Sequence, residues 1–270
     1  MPDSSTPDKR RIELDPDLID APPRAPFVEL GLLSCFSFLR GASDAVDLTL
    51  TARALGYDAI GIADVNSMAG VVRIHTEAKT LKLRPLIGCR VETVEGLTFL
   101  AYPTNRTAYG RLCRLISAGR MATPDGNWQE KGACDITLPM LAAHQEGVQL
   151  ILLPPRELEA KFTIAVPSNV IPFPARKETQ PDDASTEAAE VRRTLSFAEV
   201  LPHLTRQLPA LRHMAASYLY TGDDIARIDL LDALARANGL TLLATNDVHY
   251  HAPDRRPLQD VMTAIRHKTT

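Results

Sequence analysis

The chain of 270 residues is short of cysteine pairs, aromatic side chains and long apolar runs. Its four cysteines are far apart and form no CxxC pair, which argues against a zinc ribbon and is typical of a reducing, cytoplasmic environment. No apolar run approaches the roughly 20 residues that a membrane span needs, so the sequence predicts no membrane segment. A P-loop and a GxGxxG turn are also missing, which argues against the common nucleotide-binding loops.

A strong excess of either charge is missing as well. Lysine and arginine together number 30, aspartate and glutamate number 33, and the net charge is −3. Proteins that bind DNA on their own usually present a basic face. The composition therefore argues against an independent DNA-binding protein, although it is compatible with a chain that contacts DNA only as part of a larger protein.

What the sequence does contain is a regular alternation of apolar runs and amphipathic segments. Buried strands are predicted at 58–64, 85–91 and 147–153, and a helix at 71–81 follows the first of them. This alternation is typical of parallel βα units. Because the chain has more such units than an open sheet usually needs, the pattern predicts an α/β protein with barrel-like closure.

Composition divides the chain into a leader and one domain. Residues 1–26 are polar and proline-rich and lack the apolar core of a signal peptide, so they are predicted to be a disordered leader. Residues 27–270 form the predicted domain. Prolines and charged residues accumulate within it around 155–209, where we predict a flexible insertion.

The stretch after the last predicted strand, 240–244, carries the clearest candidate site. Asp247, His249 and His251 alternate there with other residues, and on an extended backbone alternate side chains point to one face. A carboxylate and two imidazoles at the C-terminal end of a strand are typical of metal sites in α/β proteins. The spacing therefore predicts part of a metal site.

Several dispersed segments then carry a resemblance to a known family: FVELGLLSCFSFLRGAS, AIGIADVNSMAGVVR, LRPLIGCRVE, AYPTNRTAYGRLCRLI and LLATNDVHYHAPDRRPLQDVMTAIR. In this order, across residues 27–266, they resemble the PHP (polymerase and histidinol phosphatase) domain of bacterial DNA polymerase III alpha subunits, above all that of error-prone alpha-type polymerases. The resemblance implies a distorted seven-stranded (β/α) barrel of the PHP type. It also implies metal ligands at the C-terminal ends of the barrel strands.

Most ligand positions of that family are lost in this sequence. The family's first motif, His-x-His, falls on Gly31 and Leu33, and a family glutamate falls on Arg90, whose charge would repel a metal ion. The resemblance leaves three residues that could act as ligands: Asp64, Asp247 and His249. It therefore implies a remnant metal site that is expected to hold no ion.

Two other interpretations of these residues stay open. Glu29 and His251 are candidate substitute ligands that would restore a reduced site. Alternatively, Asp247 and His249 hydrogen-bond to the loop backbone at the barrel mouth and serve only to hold the loops in place.

The resemblance implies a domain of an error-prone DNA polymerase, which would act in DNA replication, repair and damage-induced translesion synthesis. In this family the carboxylates of the polymerase palm, which hold two Mg²⁺ ions, follow the PHP domain, so the chain alone is expected not to polymerise. The expected partners are the downstream polymerase domains, other mutagenesis or replisome proteins, and DNA only through the intact polymerase.

A structural role in such a polymerase has two alternatives. The first is a metal-dependent phosphoesterase or exonuclease that uses a reduced metal site, for which Zn²⁺ or Mn²⁺ would be the cofactor. The second is a free-standing interaction domain, which should be stable alone and should not expose an apolar patch.

Overall fold

The computed structural model describes residues 27–121, 123, 127, 129–130, 132–167 and 190–269, so the predicted leader at 1–26 lies outside the described residues. The described chain forms nine strands: β1 (Glu29–Leu32), β2 (Ala59–Val65), β3 (Arg84–Glu92), β4 (Thr98–Pro103), β5 (Val148–Leu153), β6 (Lys161–Pro167), β7 (Glu190–Ser196), β8 (Leu211–Ala216) and β9 (Thr241–Ala244). It also forms seven α-helices: α1 (Ala45–Ala54), α2 (Val71–Thr80), α3 (Arg106–Arg120), α4 (Leu138–His144), α5 (Phe197–Gln207), α6 (Asp224–Ala237) and α7 (Arg256–His267).

Seven of the strands form one sheet in the order β1-β2-β3-β4-β5-β8-β9. Neighbouring strands are parallel, except that β4 runs antiparallel to both β3 and β5. Strands β6 and β7 form a separate antiparallel pair. The parallel strands all point the same way, so their C-terminal ends lie at one end of the sheet, which we call the mouth.

The sheet curls until its two edge strands approach each other at the mouth. The Leu33 amide donates a hydrogen bond of 2.9 Å to the Val248 carbonyl, and the Ala42 amide donates one of 2.8 Å to the His249 carbonyl. No ladder of paired residues joins β1 to β9 in the described part of the chain. The sheet is therefore a curled half-barrel that is closed by loops.

Apolar side chains cover both faces of the sheet, following the alternation of a strand. On β2, Ile60 and Ile62 belong to the apolar cluster that contains α1 and α2 residues, whereas Ala63 joins a cluster on the concave face. The largest apolar cluster lies against α3, α4 and α5 and includes Phe162 of β6 and Phe197 of α5. Helices therefore shield the convex face, and the concave face opens at the mouth.

Polar residues set the starts of several helices. The Asp44 side chain accepts a hydrogen bond from the Val46 amide at the start of α1, and Asn105 does the same for the Ala108 amide at the start of α3. Each satisfies a backbone donor that the first helical turn leaves free. These caps explain why α1 and α3 begin directly after the turns that follow β1 and β4.

The structure confirms the predicted α/β barrel type with seven strands in the main sheet, and it describes the two ends of the range 155–209, where the sequence predicts a flexible insertion. The two ends of that range are regular: β6 and β7 form a hairpin, and α5 buries Val200, Leu201 and Leu204. Residues 168–189, in its middle, lie outside the described residues. The buried Phe162, Ile164 and Val166 alternate along β6, so this part of the range belongs to the core of the domain.

None of the helices in the described ranges is both long enough and apolar enough to cross a membrane.

Candidate functional site

Asp64, a predicted ligand at the end of β2, is 1% exposed and is surrounded by hydrogen-bond donors. The Ser34 amide donates to its Oδ1 at 2.8 Å, the Ser34 hydroxyl to its Oδ2 at 2.8 Å, and the Ser37 hydroxyl to its Oδ1 at 2.6 Å. The Gly70 amide donates as well. We call Ser34, Ser37 and Gly70 the hydroxyl cradle.

The hydroxyl cradle leaves the Asp64 carboxylate buried among neutral groups. Burial raises the pKa of Asp64, and the hydrogen bonds from Ser37, Ser34 and Gly70 oppose that rise. A Cβ atom at Gly70 would lie 2.4 Å from Asp64 Oδ2, so only glycine lets the backbone approach this closely. Both carboxylate oxygens are occupied by donors that the fold itself supplies.

Asp64 also points away from the concave face. Its neighbour Ala63 lies in the concave cluster, whereas the cradle belongs to the β1–α1 loop and the start of α2. Adjacent side chains on a strand point to opposite faces. Asp64 therefore faces the helices, while Arg90 of β3 lines a cavity at the mouth together with Asp247.

Asp247 lies just after β9, and its partner is Arg90. The Arg90 guanidinium donates to Asp247 Oδ1 and also to the Gly31 carbonyl, the latter at 3.0 Å. On the other side, His249 Nε2 lies 3.6 Å from Asp247 Oδ2. Burial raises the pKa of Asp247, but the proximity of the His249 imidazole and the charge of Arg90 outweigh it and lower the pKa to about 2.

Glu29 of β1 is a third acid at the mouth and is 2% exposed. Its carboxylate accepts hydrogen bonds from the Gly31 amide at 2.6 Å, the Asn246 amide at 2.7 Å and the Thr245 hydroxyl. These donors come from β1 and from the segment after β9. Glu29 therefore bridges the two edges of the half-barrel where no strand ladder connects them.

Gly31 occupies the place where the family's first motif would supply a histidine. A Cβ atom there would lie 2.5 Å from Thr245 Oγ1, 3.1 Å from Glu29 Oε1 and 3.2 Å from Asp247 Cα. Leu33, at the second position of that motif, is fully buried. The space of the first imidazole is filled by the contacts that join β1 to the segment after β9.

We call the group of Glu29, Gly31, Arg90, Thr245 and Asp247 the seam. It connects β1, β3 and the segment after β9. Two cavities, of about 380 and 170 Å³, adjoin it and share Leu153, Pro154 and Asp247 in their walls. Both oxygens of Glu29 and both oxygens of Asp247 already contact protein donors, so the seam is arranged to hold the mouth together.

Comparison with known protein families identifies the family to which this chain belongs. The model of the family described as the PHP domain matches residues 29–197. The chain belongs to the PHP domain family. The matched range begins with β1 and ends at the first residue of α5, so it contains the hydroxyl cradle and part of the seam.

The similar curated proteins are polymerases and are much longer than this PHP domain. The error-prone DNA polymerase of Caulobacter vibrioides is 39% identical over 244 residues, which cover 89% of this chain and 18% of that protein. The error-prone DNA polymerase of Bradyrhizobium diazoefficiens is 39% identical over 249 residues, which cover 90% of this chain and 19% of that protein. The chain therefore spans about a fifth of the length of the curated relatives it matches.

Solved structures share the fold of the PHP domain at low sequence identity. A Bifidobacterium adolescentis protein, described as a candidate metal-dependent phosphoesterase, has a TM-score of 0.52 at 12% identity and covers 89% of this chain and 97% of its own. An amidohydrolase from Chromobacterium violaceum, with sulfate and no metal bound, has a TM-score of 0.52 at 13% identity and covers 83% of this chain and 87% of its own. These likenesses concern the fold alone.

The prediction that Asp247, His249 and His251 share one face is wrong. Strand β9 ends at Ala244, and Asp247 has a φ of 50°, a left-handed conformation that breaks the alternation of an extended chain. His251 instead points to the β1–α1 loop, where its Nδ1 lies 2.8 Å from the Ser43 hydroxyl. Asp247 and His249 therefore stay in contact with each other, whereas His251 has a different partner.

These contacts also show the partners of the residues in the two alternative interpretations. Asp247 is held by the side chains of Arg90 and His249 rather than by loop backbone. The candidate substitute ligands, Glu29 and His251, are engaged by donors of the seam and by Ser43. Each has a structural partner that fixes its side chain.

The described residues do not fit the metal centre that the resemblance implies. Among them, no three or more His, Cys, Asp or Glu side chains are grouped to hold a metal ion. Both oxygens of Asp64 are engaged by neutral donors of the fold, and Asp247 contacts a guanidinium that already neutralises its charge. Asp64 and Asp247 are both still present at the mouth, but each is paired with protein groups.

Three residues that matter here were not predicted from the sequence: Ser34, Ser37 and Thr245. All three are buried, at 0%, 2% and 2% exposure, and each donates to a buried carboxylate. Their signal in the sequence is only that small hydroxyl residues follow β1 and β9 directly. Such residues are common in turns, so position alone did not distinguish them.

Proposed function

We propose that this PHP domain is part of an error-prone DNA polymerase and has a structural role there. The observation that carries the proposal is the seam, in which the guanidinium of Arg90, and not a metal ion, lies beside the Asp247 carboxylate. A guanidinium can neutralise a carboxylate and orient it, but it cannot bind and activate a water molecule as a metal ion does.

The similarity to polymerases about five times longer supports this parentage. In such a protein we propose that template-directed synthesis belongs to other domains, with their own Mg²⁺ ions, and that this domain supports them. We also propose that DNA is contacted only through the intact polymerase, in the cytoplasm and alongside other mutagenesis or replisome proteins. The near-neutral charge of −3 agrees with a domain that does not bind DNA alone.

The test combines metal analysis with a hydrolysis assay. The purified chain is analysed for bound metal by mass spectrometry, and hydrolysis of bis-p-nitrophenyl phosphate is measured with added Mn²⁺ or Zn²⁺. We expect less than one metal ion per ten chains and no turnover above the protein-free rate. One ion per chain, with turnover that Asp247→Ala abolishes, would overturn the structural role in favour of a phosphoesterase.

A matched variant separates true turnover from a contaminating phosphatase. Asp232→Ala removes an acid from the exposed side of α6, where its carboxylate pairs with Arg236 one helical turn away. Activity that survives Asp247→Ala and Asp232→Ala alike comes from a contaminant and leaves the proposal intact. Activity lost with Asp247→Ala alone counts against it.

A further inference from the structure

Helix α7 turns a largely polar side to the rest of the domain. Gln259, Thr263 and Arg266 are half-buried on that side, and Gln259 Oε1 and Arg266 Nε are buried without a hydrogen-bond partner in the described part of the protein. Arg266 lies near enough to Arg40 and Glu92 to feel their charges. Such a side gains little from the hydrophobic effect.

The adjacent side of α7 carries an exposed apolar stripe. Leu258, Val261 and Ile265 are 43%, 57% and 57% exposed, and no residue of the helix is buried. Their spacing of three and four residues aligns them on one side of the helix. A single exposed apolar residue is ordinary, but a row on one helix is typical of a contact surface.

The small size of the stripe indicates what kind of partner covers it. A stable complex between separate chains buries about 800 Å² on each partner, more than three side chains provide. A segment of the same polypeptide needs much less, since the connection keeps its effective concentration high. The relatives of this chain carry about four fifths of their length outside the matched region.

We infer that the stripe of Leu258, Val261 and Ile265 is the surface on which this domain docks against the body of its own polymerase. The inference rests on the proposed function, because it takes the domain to be part of a longer polymerase. The partner is an apolar surface of that body. Nucleic acid does not suit the stripe, because phosphate groups bind cationic and polar groups rather than aliphatic side chains.

Cysteine labelling tests whether the stripe is covered. Val261→Cys places a thiol in the stripe, and Val72→Cys places one on α2, where Val72 is 73% exposed and serves as the control. Each variant is prepared in the 270-residue chain and in the Caulobacter vibrioides polymerase whose matched region is replaced by this chain. Maleimide labelling rates are then read peptide by peptide by mass spectrometry, so the native cysteines do not interfere.

We expect the thiol of Val261→Cys to label at least tenfold more slowly in the long protein than in the short chain, and the thiol of Val72→Cys to label equally fast in both. Equal rates for Val261→Cys in a graft that still extends a primer would overturn the inference. So would slow labelling in the short chain that depends on its concentration, because a second copy would then cover the stripe. A graft that cannot extend a primer also counts against it, since the stripe would then fail to seat on that body.

This outcome is independent of the metal assay. Hydrolytic turnover would refute the structural role, but it would not change the labelling rate of the Val261→Cys thiol and so would leave the docking surface standing. Conversely, unchanged labelling would refute the docking surface and would leave the absence of turnover untouched.

Discussion

At Asp64 the donors are two serine hydroxyls and backbone amides, whereas at Asp247 the main donor is the guanidinium of Arg90. Both carboxylates stand at the end of a strand of the same half-barrel. The hydroxyl cradle supplies dipoles but no compensating charge, so burial prevails and the pKa of Asp64 rises. The seam supplies a positive charge, so the pKa of Asp247 falls to about 2.

The difference shows two ways to keep an acid at a barrel mouth without a metal ion. Neutral donors hold the backbone of a loop, here the β1–α1 loop around Asp64. A cation holds separate elements together, because Arg90 contacts both Asp247 and the Gly31 carbonyl. The seam therefore holds the half-barrel closed, whereas the cradle orders only the loop around Asp64. Substitutions in the seam should cost more.

The largest expected effect is at Glu29. Glu29→Ala leaves the buried Gly31 amide and the partly buried Asn246 amide without acceptors and removes the bridge between the sheet edges. We expect the free energy of unfolding to fall by about 3 kcal/mol, measured by urea denaturation. Glu29→Gln keeps one acceptor oxygen and should lose about half as much. Equal losses for both variants would show that the charge of Glu29, rather than its acceptors, holds the seam.

The next effect is at Arg90. Arg90→Ala leaves Asp247 without its cation and the Gly31 carbonyl without a donor, and it should lower the free energy of unfolding by about 2 kcal/mol. The Asp247 side chain is 36% exposed, so solvent moderates the cost. A double-mutant cycle with Asp247→Asn should give a coupling of about 1 kcal/mol. Zero coupling would mean that the two residues act separately and that the seam is no stronger than the cradle.

In the hydroxyl cradle we expect a smaller effect. Ser37→Ala removes the donor to Asp64 Oδ1 and the acceptor of the Val65 amide, and should lower the free energy of unfolding by about 1.5 kcal/mol. It should also raise the pKa of Asp64 further, which NMR titration would detect. The control is Ser117→Ala on the exposed side of α3, where the expected change is under about 0.5 kcal/mol. A loss at Ser37 larger than at Arg90 would reverse the comparison.

The elements that lead to the site were predictable from local patterns. The apolar run of β2 ends at Asp64, and that of β9 ends shortly before Asp247, so both acids could be placed at the mouth. Strand β8, LRHMAA, was not predicted, because Met, Ala and His give little strand signal. Its place in the sheet comes from pairing with β5 and β9, which is not local information.

The partners of each acid were much harder to predict. Alternation orients side chains only while the chain is extended, and the left-handed Asp247 ends that rule. The sequence marked Arg90 as a cation where a metal ligand would be, but its contact with Asp247, 157 residues away, depends on the curl of the sheet. Similarly, the exclusion of a side chain at Gly31 follows from Thr245, which closes in only when the edges meet.

The smallest expected effect is a pH dependence with opposite signs at the two acids. The folded-state pKa of Asp247 is about 2, below its usual value of 3.8, so its stabilisation is present above pH 4 and is lost as pH falls towards 2. After allowance for a side chain that is a third exposed, the loss is about 1 kcal/mol. The pKa of Asp64 is raised, so its protonation favours the folded state, and its contribution improves as pH falls through that raised pKa. Urea denaturation between pH 6 and pH 2 should therefore show the advantage of the wild type over Asp247→Asn shrinking with acid. The stability of the wild type relative to Asp64→Asn should instead increase as the pH falls. Parallel pH curves for the two variants would mean that the cradle and the seam do not differ in charge compensation.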